Sequence, residues 1–172
     1  MKSKAATRTF IIAGMHRSGT SLMAGLIGRL GVDLGERLVP PDRWNLHGYH
    51  EDAEIVGFHS RIFRSVLNKS GAGHVDWGWT SNGVLDSSRL PLRFRTEAFK
   101  LAGRRSTRSE CWGFKDPRTS ILLDLWDACL PEARFVFVYR APWLVADSLQ
   151  RIEADLFRRH PEYSEPIWTG YN

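Results

Sequence analysis

A glycine-bounded loop near the start of the chain has the residue types of an anion-binding site. The stretch "GMHRSGTS" (residues 14–21) follows the outline of a phosphate-binding loop, G-x-x-x-x-G-K-S/T, but Thr20 stands where that loop has its lysine. Its two glycines permit a tight turn in which backbone N–H groups point at an anion. We expect Arg17 to supply the positive charge of the absent lysine, and Thr20 and Ser21 to donate hydroxyl hydrogen bonds.

The missing lysine also bears on which anion the loop binds. A nucleoside triphosphate needs a lysine and a metal ion to balance several negative charges. A sulfonate group carries less charge than a terminal phosphate, and it suits a loop with one arginine and no metal-binding carboxylate downstream. The loop therefore favours a sulfonate group, while an ordinary strand–turn–helix corner is the alternative interpretation.

A second candidate anion site combines an arginine and a serine in "VYRAPWLVADSL" (residues 138–149). Arg140 follows an apolar run, and Pro142 suits the first turn of a helix. Ser148 would then lie about two turns into that helix. The Arg140 guanidinium and the Ser148 hydroxyl can converge on one phosphate, although an arginine in this position also suits a surface ion pair.

Hydrophobic patterning predicts strands and helices that alternate along the chain and would position these loops. The predicted strands cover residues 9–13, 111–115 and 134–139, the last being the clearest buried strand. The predicted helices cover residues 22–30, Asp52 to near Gly71, 90–102, a segment after Pro117, and a last helix from Pro142. Strands that alternate with helices form parallel β-α units, so we expect an α/β fold of three layers, α/β/α, around a parallel sheet.

The segments between these elements have the composition of loops. They are a long loop at 33–50, a glycine-rich aromatic stretch at 71–83, a basic connector at 103–110, and a tail after His160 with little periodicity. Loops as long as the first are often functional. In the second, Trp77 and Trp79 suit either stacking on a sugar ring or filling of the core.

The bulk composition is that of one ordinary globular domain, residues 1–172. A net charge of +5 tolerates anionic ligands without indicating nucleic acid. Two cysteines are too few for a disulfide framework, so a reduced, cytoplasmic setting is expected. No apolar run reaches the roughly 20 residues of a membrane span. The basic, then apolar start is interpreted as a short tail and a buried strand, not a signal peptide.

The two candidate anion sites resemble motifs of the sulfotransferase family that uses 3′-phosphoadenosine 5′-phosphosulfate (PAPS). In that family a "PRSGT"-like loop after the first strand binds the 5′-phosphosulfate, and "HRSGT" here is similar to it, with His16 in place of the proline. An Arg-x7-Ser pattern after a later strand binds the 3′-phosphate, and Arg140 and Ser148 match it.

Two further segments strengthen this resemblance. "WGFKDPR" (112–118) looks like the "KDP" element of the tyrosyl-protein and bacterial carbohydrate branches of the family. "NLHGYHED" (45–52) is similar to the "GY-x-E-D" segment of bacterial members. The four segments occur in family order across residues 10–149, and they imply a P-loop NTPase-like sulfotransferase fold.

The resemblance implies a role for each matched residue. The phosphosulfate would lie on a loop that contributes His16, Arg17, Ser18, Gly19, Thr20 and Ser21. Arg140 and Ser148 would bind the 3′-phosphate of PAPS, or of its product 3′-phosphoadenosine 5′-phosphate (PAP). Lys115 would stabilise the bridging oxygen as charge develops there. Glu51 would be the catalytic base, with His50 as the second candidate because its pKa is nearer neutrality.

These catalytic roles have structural alternatives. Glu51 could instead be an acidic residue that interacts favourably with the dipole at a helix N-terminus. Lys115 could instead form a simple ion pair with Asp116. Asp116 and Arg118 suit a structural ion pair that holds the end of the strand. If Glu51 and His50 lie on one extended segment, their side chains point to opposite faces and only one can serve.

The function implied is transfer of a sulfonate to a hydroxyl or amine of a carbohydrate, glycolipid or small molecule. Family members also carry a glycine-containing loop near the C-terminus that no segment here matches, so an incomplete domain with weakened cofactor binding is expected. The alternatives are a P-loop nucleoside or small-molecule kinase and a non-catalytic nucleotide-binding domain. His47, His50 and Glu51 resemble a zinc cluster only loosely, so no metal site is predicted.

Overall fold

The computed structural model describes residues 7–70, 79–80, 83–85, 90–152 and 155–172. The strands within these residues are β1 (Arg8–Ala13), β2 (Trp79–Thr80), β3 (Gly83–Val84), β4 (Cys111–Lys115) and β5 (Arg134–Phe137). The α-helices are α1 (Thr20–Arg29), α2 (Ala53–Ser70), α3 (Leu92–Arg108), α4 (Leu123–Cys129), α5 (Pro142–Arg151), α6 (Asp155–Arg159) and α7 (Ser164–Tyr171). Short 3-10 helices cover Pro117–Leu122 and Pro161–Tyr163. The choice between sugar stacking and core filling for Trp77 and Trp79 lies outside this description, since neither side chain is among the described parts of the chain.

The central sheet has three parallel strands in the order β4-β1-β5. Ile11 of β1 lies opposite Phe114 of β4 on one side and Phe135 of β5 on the other. Parallel strands with apolar runs are typical of sheets covered on both faces. All three strands end at the same edge of the sheet, so the loops that follow Ala13, Lys115 and Phe137 lie next to one another.

The two faces of the sheet pack against different helices. Successive residues of a strand point to opposite faces, and Ile11 and Ile12, both fully buried, follow this rule. Ile11 joins the larger core, which α2 to α7 contribute to, whereas Ile12 packs with Ala24 of α1 and with Leu34. The predicted α/β class with a parallel sheet is confirmed at this level, and the arrangement is compatible with three layers.

The prediction of a buried strand over residues 134–139 is wrong in its burial and its length. β5 ends at Phe137, and it lies at an edge of the sheet with β1 as its one partner among the described strands. Phe137 and Tyr139 are exposed. An apolar run indicates which residues favour a strand. The burial of that strand depends on which other elements cover it in the fold.

Three other boundaries differ from the predictions. α3 continues through the expected basic connector to Arg108, because Arg105 pairs with Asp52 there. The segment after Pro117 begins as a 3-10 helix before α4. α5 is not the last helix, since α6 and α7 follow it and Ile167 of α7 is buried in the core. In the described part of the chain, no helix combines the length and apolarity that a membrane crossing requires.

Candidate functional site

The glycine-bounded loop joins the end of β1 to the start of α1 in a strained conformation. Gly14 and Gly19 have φ of 147° and 97°. Arg17 has φ of 66°, a backbone conformation that residues other than glycine rarely adopt. A Cβ atom on Gly14 would lie 2.3 Å from the carbonyl oxygen of Val138, so the loop sits tightly against the end of β5. Gly19 precedes α1 without a side-chain cap, so the N-terminus of this helix faces the loop, a geometry that favours anions.

The two candidate anion motifs meet in the fold. Arg17 donates a hydrogen bond from Nε to Ser148 Oγ at 2.9 Å, across 131 residues of sequence. Arg140 donates from Nη1 to the backbone oxygen of Arg17, also at 2.9 Å. Trp168 of α7 donates to the backbone oxygen of Arg140 at 3.1 Å and thereby anchors the segment after β5. The structure thus brings both predicted arginines and the predicted serine to one place.

Lys115 lies at the end of β4, where its buried ammonium contacts the loop 33–50 and α1. Nζ donates to Glu51 Oε1 at 2.5 Å, to Ser21 Oγ at 3.2 Å and to the backbone oxygen of Tyr49 at 3.4 Å. The alternative ion pair of Lys115 with Asp116 is therefore not the one that forms. Burial raises the pKa of the Glu51 carboxyl, and the neighbouring Lys115 partly opposes this rise.

Glu51 is also not the residue that caps α2. That role belongs to Asp52, whose Oδ1 accepts a hydrogen bond from the backbone N–H of Glu54 at 2.8 Å. The Glu51 carboxylate instead lines the cleft beside Lys115.

His50 and Glu51 line different clefts. His50 has φ of 55°, so His50 and Glu51 do not lie on one extended segment as the sequence suggested. Their side chains nevertheless point in different directions. The His50 ring packs against α1, where a Cβ atom on Gly25 would lie 3.0 Å from Nε2. Burial lowers the pKa of His50. The geometry therefore favours Glu51 over His50 as the group beside Lys115.

A buried network fixes the chain immediately after Lys115. Arg118 donates to Asp116 from Nη2 at 2.7 Å and from its backbone N–H at 2.9 Å, so the predicted structural ion pair is confirmed. Trp126 donates to His59 Nε2 at 3.0 Å, which leaves His59 Nδ1 to donate to Asp116 Oδ2 at 2.9 Å. Burial works against the charge of Asp116, but Arg118 and His59 hold its pKa well below the usual value.

His59 is a site-supporting residue that the sequence did not identify. It lies on the apolar face of α2 with Ile55 and Ile62, a position where a histidine usually indicates only a satisfied core residue. Burial lowers its pKa, so the ring is neutral and acts as a donor to Asp116. Its one sequence signal is a polar residue in an otherwise apolar helical stripe.

The remaining loop residues are placed in different ways. Thr20 and Ser21 line the cleft at the start of α1. Ser18 turns inward: it is buried, its N–H donates to Met15, and its Oγ has no hydrogen-bond partner among the described residues. His16 lines the cleft with its ring 5.5 Å from that of Tyr171, and desolvation lowers its pKa to about 3. His16 is therefore neutral near pH 7 and adds no positive charge.

The cleft between these groups has a volume of about 610 Å³, which is in the range of small-molecule sites. One wall is formed by residues of loop 33–50, namely Asp42, Trp44, Asn45 and Tyr49. Asn45 and Tyr49 belong to the matched segment 45–52, whereas the sequence did not identify Asp42 and Trp44. Asp42 organises this wall by accepting hydrogen bonds from the backbone of Trp44 and from the Tyr49 hydroxyl, both at 2.8 Å. The length of the loop was the sequence signal for such a role.

The cleft is lined by charged groups of both signs. The cationic side chains are Arg17, Lys115, Arg118 and Arg140, and the carboxylates are Asp42, Glu51 and Asp116. Among the described residues, no group of three His, Cys, Asp or Glu side chains is placed to bind a metal ion. No protein-family model matches the chain, and a search of curated proteins gives no significant match. The geometry of the cleft therefore carries the functional argument.

Proposed function

We propose that this chain is a sulfotransferase that uses PAPS as the sulfonate donor and a hydroxyl or amine of a carbohydrate, glycolipid or small molecule as the acceptor. The observation that carries the proposal is the contact between Arg17 and Ser148, with Arg140 on the backbone of Arg17. The family resemblance assigns one of these motifs to the 5′-phosphosulfate and the other to the 3′-phosphate of the same ligand. In the structure, residues of the two motifs lie within hydrogen-bond distance of each other.

The residues present fit a ligand that carries more than one anionic group. The loop contributes a helix N-terminus and Arg17, and the segment after β5 contributes Arg140, which lines the same cleft, and Ser148, which contacts Arg17. Gly14 allows these two segments to approach closely, since any Cβ there would collide with the backbone of Val138. A strand, a glycine-bounded loop and a helix in this order, on a parallel sheet, support a P-loop type of fold.

We assign the binding roles accordingly. Arg17 and the backbone of the loop bind the 5′-phosphosulfate, and Arg140 and Ser148 bind the 3′-phosphate. Arg17 and Ser148 hydrogen-bond to each other, so each exchanges this bond for one to its own phosphate group when the ligand enters. Guanidinium groups suit both positions because they form forked hydrogen bonds to phosphate oxygens.

The reactive side of the cleft is the pair of Glu51 and Lys115. PAPS supplies a sulfonate whose S–O bond to phosphate breaks as an S–O bond to the acceptor oxygen forms. The Glu51 carboxylate takes the proton of the acceptor hydroxyl, and burial raises its pKa and makes it a stronger base. The Lys115 ammonium, 2.5 Å from Glu51 Oε1, balances the charge on the leaving phosphate oxygen.

Calorimetric titration of the purified chain with PAP, with ATP plus magnesium, and with AMP tests the donor assignment. Selective binding of PAP is expected, because AMP lacks the 3′-phosphate that Arg140 and Ser148 would bind. Magnesium-dependent binding of ATP with no preference for PAP would support the alternative of a small-molecule kinase. Binding of PAP without transfer to any acceptor would support a non-catalytic nucleotide-binding domain.

A further inference from the structure

A second cleft lies on the outer side of α1, and it is mainly apolar. We call it the α1 groove; it has a volume of about 830 Å³ and is lined by Leu22, Leu26, Val32, Leu34, Leu38 and His50, among others. Leu22 and Leu26 lie one turn apart on α1 and are 71% and 47% exposed. Single exposed leucines are common on protein surfaces, but here they line a concave site of ligand size.

The groove is closed at its base by a tight fit between α1 and the loop that follows it. A Cβ atom on Gly28 would lie 3.2 Å from Cδ1 of Leu34, and one on Gly25 would lie 3.0 Å from the ring of His50. Glycines at these two positions let the loop approach the helix closely. The concavity is thus a built feature of the fold and not a gap between separate surface segments.

The α1 groove adjoins the cleft that holds the candidate reactive pair, and two residues form the partition between them. Ser21 and Asn45 line both cavities, and Asn45 Nδ2 donates to Ser21 Oγ at 3.2 Å. The same Ser21 oxygen accepts a hydrogen bond from Lys115 Nζ at 3.2 Å. The apolar groove therefore ends one side chain away from the ammonium beside Glu51.

From this adjacency we infer that the α1 groove binds the apolar chain of the acceptor. The acceptor is then an amphiphile: its hydroxyl-bearing head lies beside Glu51, and an alkyl chain extends past Ser21 along Leu22 and Leu26. A free sugar would leave the groove empty and its leucines in water, whereas an alkyl chain removes that apolar surface from water. This inference rests on the proposed sulfotransferase function, since it names the acceptor class of the same site.

The test is a binding series with alkyl glucosides of increasing chain length, from methyl to octyl, kept below their micelle concentrations and titrated in the presence of PAP. Each methylene that enters the groove should tighten binding by up to about fourfold. A Leu26→Asp variant should lose this dependence on chain length. Leu92→Asp is the matched control, because Leu92 is 75% exposed on α3 and lies outside the lining of both cavities.

The outcomes separate this inference from the proposed function. Equal binding of methyl and octyl glucoside, or an unchanged chain-length dependence in Leu26→Asp, would overturn the acceptor assignment even if PAP binds. Failure of PAP to bind would instead overturn the proposed function. Thermal melting of both leucine variants establishes that they fold, and retained PAP affinity in Leu26→Asp shows that the anion cleft is intact.

Discussion

At the scale of single residues, the central feature is the pairing of a carboxylate with a buried ammonium at the edge of the sheet. Glu51 and Lys115 are 64 residues apart in sequence and have Oε1 and Nζ 2.5 Å apart in space. The sequence suggested each of them through its own short motif. It could not show that they pair, because the contact depends on how loop 33–50 lies across the end of β4.

Glu51→Gln tests the role of the carboxylate. The amide cannot accept the proton of the acceptor, so sulfonate transfer should fall by about 100-fold or more, while the affinity for PAP should be unchanged. The measurement is turnover with labelled PAPS and an acceptor glycoside, beside calorimetry with PAP. Glu132→Gln is the matched control, because Glu132 is an exposed glutamate that lines neither cavity, and its loss should leave the catalytic rate intact.

The pH dependence of transfer follows from the same residue. A protonated Glu51 cannot act as a base, and burial raises its pKa above the usual 4.5. The rate should therefore fall as the pH drops through this raised pKa, and the acid limb should vanish in Glu51→Gln. Full turnover by Glu51→Gln, with an unchanged acid limb, would reject the carboxylate as the base.

At the scale of elements, the local signals were accurate where the neighbouring residues decide the structure. β4 occupies the predicted residues 111–115, and β1 and α1 begin within two residues of their predicted starts. These elements have strong apolar runs and clear glycine boundaries. The errors concern β5, the end of α3, and α7, whose burial and length depend on partners far away in sequence.

The extension of α3 shows such a long-range cause. The sequence around Arg104 and Arg105 predicted a basic connector exposed to solvent. In the structure both arginines form ion pairs with the start of α2. Arg105 is only 13% exposed and contacts the nearly buried Asp52, whereas Arg104 is 59% exposed and contacts Glu54. This contact ties the end of α3 to the segment that carries Glu51.

Arg105→Met should therefore destabilise the fold far more than Arg104→Met. Removal of one partner of a buried ion pair costs about 3 kcal/mol or more, whereas an exposed pair contributes less than about 1 kcal/mol. The free energy of unfolding from urea titrations at pH 7 measures both. Equal effects of the two substitutions would mean that the Arg105 pair does not hold the helix end.

At the scale of the whole molecule, titratable groups whose pKa values shift on folding make stability depend on pH. His16 and His59 are neutral in the folded state, with pKa values lowered mainly by desolvation, to about 3 for His16. Below pH 6.5 the unfolded chain binds protons at these histidines that the folded chain does not, so stability falls. Asp116, with its lowered pKa, stabilises the fold above the unfolded value of 3.8, and this contribution is lost as the pH falls further.

The free energy of unfolding should consequently decrease between pH 7 and pH 5, with His16 alone contributing on the order of 1–2 kcal/mol. Urea titrations at the two pH values measure the decrease. His16→Asn should show a smaller decrease than the unmodified chain. A free energy of unfolding that is the same at pH 5 and pH 7 would contradict the burial of neutral histidines.

The central claim is that Arg17, Arg140 and Ser148 form one site for a bisphosphate. The most direct measurement is the affinity for PAP of the Arg140→Ala and Ser148→Ala variants. The control is the PAP affinity of Arg151→Ala. Arg151 is an exposed arginine of the same helix as Ser148, and its partner is Asp147. The account predicts that PAP binding weakens at least about tenfold in the first two variants, because each loses a hydrogen bond to a charged group, and is unchanged in the third. Wild-type affinity for PAP in Arg140→Ala and Ser148→Ala, or no binding to the unmodified chain, would contradict it.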